Sequence, residues 1–287
     1  MKLGVTDILP GDFRTHDHGH MQTVRDLGLT GFGFHLPGEL VPEITPAECD
    51  RYRQFIASEG LDLAQFAILY GECLFSADPG MIASVSAKIE RATALAAGLG
   101  AGAFLLRPGS ANPDGPWTPH RDNHLPEQVD RLVATLRPLA ATAEREGLTL
   151  ALETHAVSIM DPPEKCRAIV EAVGSPRLQL IMDPVNHFQC LQQVYNSGDW
   201  VDHIFAEMGA LAPIAHIKDL KVSNGLVLHI DQTLPGEGEL DLARVLRRFH
   251  AFHPEGYGLI EHLGLNRIPA AIANVRRIAA ANSVDIP

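Results

Sequence analysis

Four residues able to bind a divalent cation, Glu153, Asp183, His216 and Glu261, each close a short apolar run in the second half of the 287-residue chain. The runs read TLALE, LQLIMD, PIAH and YGLIE. Three carboxylates and one imidazole form a hard, oxygen-rich donor set. It suits one ion in octahedral geometry with open positions, Mn²⁺ first, with Mg²⁺, Co²⁺ or Zn²⁺ as alternatives. Taken singly, a Glu at a strand end is usually solvated or salt-bridged, and a lone His is as often an interior one. Four of them at four successive strand ends point instead to a common ion. They lie 30, 33 and 45 residues apart. The first two separations match one β/α unit each, and the third leaves room for an insert at 220–239.

Such residues meet only if the runs are neighbouring parallel strands whose C-terminal ends share a rim. The chain repeats one pattern eight times: a short apolar strand, a turn, then a longer amphipathic stretch. Strands are predicted at 3–8, 31–36, 62–67, 103–107, 149–154, 179–183, 214–218 and 257–261. Helices are predicted at roughly 16–28, 46–60, 79–99, 125–146, 163–173, 199–211, 240–253 and 268–282. Thr45-Pro46 and Asp78-Pro79 are helix starts, while Gly60, Gly147 and Gly174 stand where helices stop. Alternating β and α units imply a parallel sheet, and nearly continuous apolar strands fit one covered on both faces. Eight units favour closure into a (β/α)₈ TIM barrel, an α/β fold that places its active site at the C-terminal strand ends. No Pro/Ser-rich linker or composition shift divides the chain, so residues 1–287 are expected to form a single domain.

Composition narrows the functional class. With 46% hydrophobic and 20% charged residues, the chain can bury a substantial core. The formal charge of −12 argues against a nucleic-acid footprint, which needs a basic face. No run of about 18 apolar residues is present, so no membrane span is expected. The opening MKLGVTDILPGD lacks the basic and apolar regions of a secretory signal. Cys49, Cys73, Cys166 and Cys190 are scattered and read as reduced thiols packed as small hydrophobes. Cytoplasm is the expected compartment.

The segments LETH, MDPVNH, HIKD and IEH, in that order, resemble the xylose-isomerase-like barrel superfamily. The group includes ketose 3-epimerases, hydroxypyruvate isomerases, inosose dehydratases, 3-dehydroshikimate dehydratases and AP-site endonucleases. The resemblance covers the whole chain by architecture, but its specific motifs lie within 149–262. It implies that Glu153, Asp183, His216 and Glu261 are the metal ligands. The stretch PGEGELD at 235–241 is similar to the superfamily's entry into its last helix. The endonucleases carry extra histidines, on strands three and four, three residues after the strand-six Asp, and in an Asp-x-His before the Gly-Glu-Gly. Here strands three and four end in QFAIL and LLRPG, residue 186 is Asn, and DQTLP precedes the Gly-Glu-Gly. A trinuclear cluster cannot be assembled from these residues.

A metal so held can bind a substrate carbonyl and its neighbouring hydroxyl and acidify the adjacent C–H. A carboxylate then removes the proton to leave a cis-enediolate. By resemblance to the ketose epimerases, Glu153 and Glu261 are the two proton carriers on opposite faces of the substrate. Returning the proton to the other face inverts the centre, and returning it to the neighbouring carbon isomerises. Expelling a β-hydroxyl or β-alkoxy group makes the enzyme a lyase. The first expectation is a metal-dependent isomerase or epimerase of a keto sugar. The alternative is a lyase or dehydratase, inosose dehydratase-like or acting by β-elimination on a 3-keto glycoside. HIKD is similar both to the inosose dehydratases and to the broad sugar isomerase/epimerase group, which shifts weight toward cyclic polyols or oxidised sugars. A non-catalytic sugar-binding barrel or partner-dependent subunit ranks lower, because binding alone does not need both glutamates. The relatives make a homo-oligomer an option.

Substrate-contact candidates follow from position. Lys218, two residues past His216, shares its strand face and either donates to a substrate oxygen or pairs with a neighbour such as Asp219. Arg107 points into the pocket or toward a helix. Either Asn186 or His187 follows Asp183 at contact distance, His155 either shares the face of Glu153 by alternation or serves in simple hydrogen bonding, and His35 ends strand two. In the long loop 108–124, Trp117 is either a lid over a sugar face or an anchor for the loop. The cluster His16, His18 and His20 fits an exposed loop-to-helix segment better than a second metal site.

Overall fold

The computed structural model describes residues 1–287. Eight parallel strands close a barrel: β1 (Lys2–Thr6), β2 (Gly31–Pro37), β3 (Asp62–Leu69), β4 (Ala103–Leu106), β5 (Leu150–Leu152), β6 (Leu178–Met182), β7 (Ile214–Ile217) and β10 (Tyr257–Ile260). The strands β8 (Asp219–Val222) and β9 (Ile230–Thr233) pair antiparallel as a separate hairpin between β7 and the last barrel strand. This hairpin occupies the insert expected at 220–239, and its tip exposes Leu226, Val227 and Leu228.

Nine α-helices surround the barrel: α1 (His18–Asp26), α2 (Pro46–Ser58), α3 (Pro79–Leu99), α4 (Pro126–Glu146), α5 (Pro163–Val173), α6 (Leu191–Tyr195), α7 (Ser197–Met208), α8 (Leu242–Phe252) and α9 (Ile268–Ala281). Their ends follow local chemistry. Thr45 and Glu48 form a reciprocal capping box at α2 with Pro46 as the first helical residue, and Asp78 caps α3 ahead of Pro79. Helices α4 and α5 stop at Gly147 and Gly174, whose φ values of 69° and 77° lie in the left-handed region that glycine enters without penalty.

Two layers of packing result. The larger cluster of 72 buried apolar residues lies between the sheet and its helices. A second cluster fills the barrel itself: Ala64, Ala67, Ala103, Leu105, Ala151, Ile181, Ile214, Tyr257 and Leu259. Because a strand alternates its faces, the next inward position beyond each filler residue is fixed. Leu105 is followed by Arg107, Ala151 by Glu153, Ile181 by Asp183, Ile214 by His216 and Lys218, and Leu259 by Glu261. The polar groups at one mouth of the barrel are the last members of inward rows whose earlier members are its core.

Candidate metal centre and substrate cavity

Glu153, Asp183, His216 and Glu261 come from β5, β6, β7 and β10 or the residue just past each, and all four are buried. Their donor atoms lie within 4.8 Å of one another. His216 Nδ1 is 3.1 Å from Glu261 Oε1, 3.5 Å from Asp183 Oδ2 and 4.0 Å from Glu153 Oε1. Asp183 Oδ1 and Oδ2, His216 Nδ1 and Glu261 Oε1 are buried without a directed hydrogen bond. Buried polar atoms are normally satisfied; apart from the Lys218 ammonium, which pairs with Asp183 Oδ2 and Glu261 Oε1, these atoms have no partner, and their convergence on one point fits a cation. The oxygen-rich donor set fits a hard divalent ion.

The imidazole is oriented from across the barrel. His216 Nε2–H donates to Gln65 Oε1 at 2.9 Å, which leaves Nδ1 turned to the carboxylates. Gln65, fully buried on β3, is a residue that sequence reasoning missed. Its only signal is an amide inside the apolar run DLAQFAIL.

Lys218 lies within the cluster. Its Nζ is 2.6 Å from Asp183 Oδ2 and also contacts Glu261 Oε1. The suggested partner Asp219 is otherwise engaged, accepting backbone N–H bonds from Leu220, Gly236, Gly238 and Leu240. The PGEGELD stretch therefore wraps around one buried carboxylate. A Cβ on Gly238 would stand 2.2 Å from Asp219 Oδ1, so the chain requires glycine there.

Such crowding sets the charge states. Burial and the charge of Glu261 push Glu153 up to about 7, against the pull of His216 and Lys218. For Asp183 and Glu261 burial acts upward but is outweighed by Lys218 and His216, which hold both carboxyls below their ordinary range. Burial alone would lower His216, yet Glu261 and Asp183 raise it to about 10. Two glutamates of one site are thus driven in opposite directions.

Above the cluster opens a cavity of about 330 Å³ lined by His35, Leu69, Leu105, Arg107, Trp117, Glu153, His155, Asn186, His216, Lys218, Gln232, Glu261 and His262. His35 bonds Asp7 at 2.6 Å. His155 Nδ1 accepts from the Val157 N–H, which places its proton on Nε2, and burial lowers its pKa. Trp117 packs on the His155 ring with centroids 5.5 Å apart, so the strand-four loop forms a wall of the cavity. Gln232 of the hairpin and His262, at φ 56°, join the lining without having been singled out from sequence.

The pair Asn186 and His187 is resolved by a 3₁₀ turn at Pro184–His187. Asn186 faces the cavity and donates to the Thr154 carbonyl at 3.0 Å. His187 does not reach it, which corrects its placement as a contact residue. It is fully buried, bonded through Nδ1 to Asp161 at 2.7 Å and through Nε2 to Thr154 Oγ1 at 2.9 Å. Its surroundings make it a brace behind the residue that follows Glu153. His16, His18 and His20 also separate: His16 bonds Tyr52 and the Pro10 carbonyl, His18 pairs with Glu59, and His20 with Asp17. Cys49, Cys73 and Cys166 are buried free thiols, whereas Cys190 is exposed.

A closed parallel barrel with a buried cluster of Glu153, Asp183, His216 and Glu261 at its C-terminal mouth defines the class: a TIM barrel with a candidate metal centre. Residues 21–278 match the family model for the xylose isomerase-like TIM barrel, and the chain belongs to that family. No curated protein matches the chain in sequence. Among solved structures it is similar to a 3-keto-D-glucoside 4-epimerase from E. coli, with TM-score 0.71, 16% identity, and 96% of this chain and 99% of that one covered. The probable 3-DHS dehydratase AsbF from Bacillus anthracis gives TM-score 0.70 and 15% identity over 98% and 99% of the two chains. A xylose isomerase-like barrel protein from Mycobacterium smegmatis in complex with magnesium gives 0.69 and 16% over 99% and 96%. At these identities the likeness shows the fold alone. No helix is long and apolar enough to cross a membrane.

Proposed function

We propose that the chain is a divalent-metal-dependent isomerase or epimerase of a keto sugar, with Glu153 and Glu261 as its proton carriers. The observation that carries this reading is the pair of buried glutamates, Glu153 and Glu261, that belong to one four-residue cluster and also line the cavity. Two carboxylates beside one cavity are the arrangement proton transfer to and from carbon needs.

Glu153, Asp183, His216 and Glu261 would hold the ion. When bound, it supplies positive charge beside a substrate carbonyl and so acidifies the neighbouring C–H. Glu153 and Glu261 are the two proton carriers: the one that is ionised accepts that proton, and either the other, entering protonated, delivers its own to the opposite face or the acceptor returns the proton to the adjacent carbon. Lys218 donates to a substrate oxygen from between Asp183 and Glu261. Asn186 and His155 bind hydroxyl groups, His35 does so from the opposite wall, and Trp117 covers an apolar sugar face. His187 acts indirectly by fixing Thr154.

The same first step supports a lyase. His155, with its proton on Nε2 and two residues from Glu153, is placed to protonate a departing hydroxyl. The 3-DHS dehydratase fold similarity is compatible with this second reading. Metal analysis followed by solvent-deuterium incorporation into a panel of keto sugars separates the outcomes. Exchange with no loss of water supports isomerisation, and release of water or alcohol supports lyase chemistry. A metal-loaded protein that exchanges no C–H proton across the panel would overturn both.

A further inference from the structure

We propose that the substrate of this site is an acidic keto sugar whose carboxylate is bound by Arg107. The inference rests on reading the cavity as the substrate site and adds the charge of its ligand. Apart from Glu153 and Glu261, which belong to the ligand cluster, no acidic residue lines the cavity. Its two permanent cations are Lys218 and Arg107. The first is already neutralised by Asp183 and Glu261.

Arg107 has no such partner. It follows β4 on the inward row after Ala103 and Leu105, and it is half-buried. Its Nη2 donates to the carbonyls of Tyr70 at 3.0 Å and Ile68 at 3.3 Å. The guanidinium lies 5.1 Å from the Tyr70 ring centroid, and the Arg107 backbone N–H donates to the Tyr70 hydroxyl at 2.8 Å. These contacts fix the plane of the group without supplying an anion, and Nε is buried with no acceptor. A half-buried guanidinium with a sheltered Nε–H and no counter-charge is incompletely satisfied, and a bound anion supplies the missing partner.

The chain as a whole carries a formal charge of −12, so a fixed cation inside its cavity selects locally against the general repulsion of anions. A planar carboxylate matches a guanidinium edge by paired hydrogen bonds. A phosphoryl dianion calls for more unpaired positive charge than this wall offers, because the Lys218 charge is already neutralised by Asp183 and Glu261.

The test is calorimetric titration of the manganese-loaded protein with 2-keto-D-gluconate, 5-keto-D-gluconate, D-fructose and D-fructose 6-phosphate. The two acids present a carboxylate at either end of the chain relative to the ketone. At least one should bind roughly 10- to 100-fold more tightly than D-fructose, the range for a hydrogen bond to a charged group. That preference should vanish in Arg107→Gln and partly return in Arg107→Lys. A merely structural Arg107 would weaken all four ligands together and leave their ratio unchanged, which would overturn the proposal. So would acids no tighter than D-fructose, or an Arg107-dependent preference for the phosphate. Metal content measured on the same samples keeps the two readings apart: a stoichiometrically loaded protein with no acid preference sinks the carboxylate assignment alone.

Discussion

The two halves of the barrel are built from the same strand–helix unit but carry different chemistry. Strands β5, β6, β7 and β10 place three carboxylates, an imidazole and the Lys218 ammonium around one point. Strands β1 to β4 add no residue to that four-residue cluster. They contribute an orienting amide, Gln65, and the cavity walls His35, Leu69 and Arg107. The difference shows that concentrating charge in one sector lets the groups neutralise one another. Spread around the rim, each would carry its own desolvation penalty. The other half is then free to orient and select, and Gln65 is the bond by which it acts on the cluster.

The sharpest way to break this division is Glu261→Gln. It keeps the size of the side chain and leaves Lys218 paired with Asp183, so the circular dichroism of the fold should be unchanged. Deuterium exchange should drop by about 10²- to 10⁴-fold, the usual contribution of a positioned acid or base. Unchanged turnover would refute the assigned role. On the opposite half, Gln65→Leu removes the acceptor of the buried His216 Nε2–H. Metal affinity should fall roughly 10- to 100-fold, as for loss of a group that orients a ligand. An unaltered metal titration would show that the first half does not tune the second.

Gly238→Ala tests the frame rather than the charges. Its Cβ would meet Asp219 Oδ1 at 2.2 Å and the Leu220 carbonyl at 2.3 Å, so overpacking should cost about 1–3 kcal/mol in urea denaturation. A variant as stable as the parent would mean that the loop around Asp219 yields freely. The smallest effect concerns pH. Burial lowers the pKa of His16 in the first half and His155 in the second from 6.5. Below that pH the unfolded chain binds protons that the folded imidazoles refuse, so the contribution of these two histidines to stability should decline as pH falls through about 6.5, against the opposite contribution of Glu153, whose raised pKa favours the folded state below about 7. His16→Gln should make the decline shallower in a series of denaturation curves, and an identical slope would remove His16 from the account.

Much of the architecture was legible because its rules are local. Pro46, Pro79, Gly147 and Gly174 announced helix ends, and the predicted helices 79–99 and 163–173 coincide with α3 and α5. The hairpin β8–β9 was not foreseen: its strands are short and polar on one side, and nothing in 219–233 distinguishes it from a long loop. Gln65 was also passed over, because an amide in an apolar strand has meaning only once β3 is seen to face β7 through the barrel.

What the sequence alone determined is the order of strands and the polar residue that ends each inward row, since alternation along an extended chain needs no knowledge of its neighbours. Only the tertiary structure decided which of those groups touch. The 3₁₀ turn after Asp183 broke the alternation and sent His187 inward while leaving Asn186 in the cavity. Likewise Lys218 found Asp183 and Glu261 rather than the adjacent Asp219, whose carboxylate is held by the backbone of 236–240. Partner choice depends on distances across a closed barrel, and those arise from packing rather than from position along the chain.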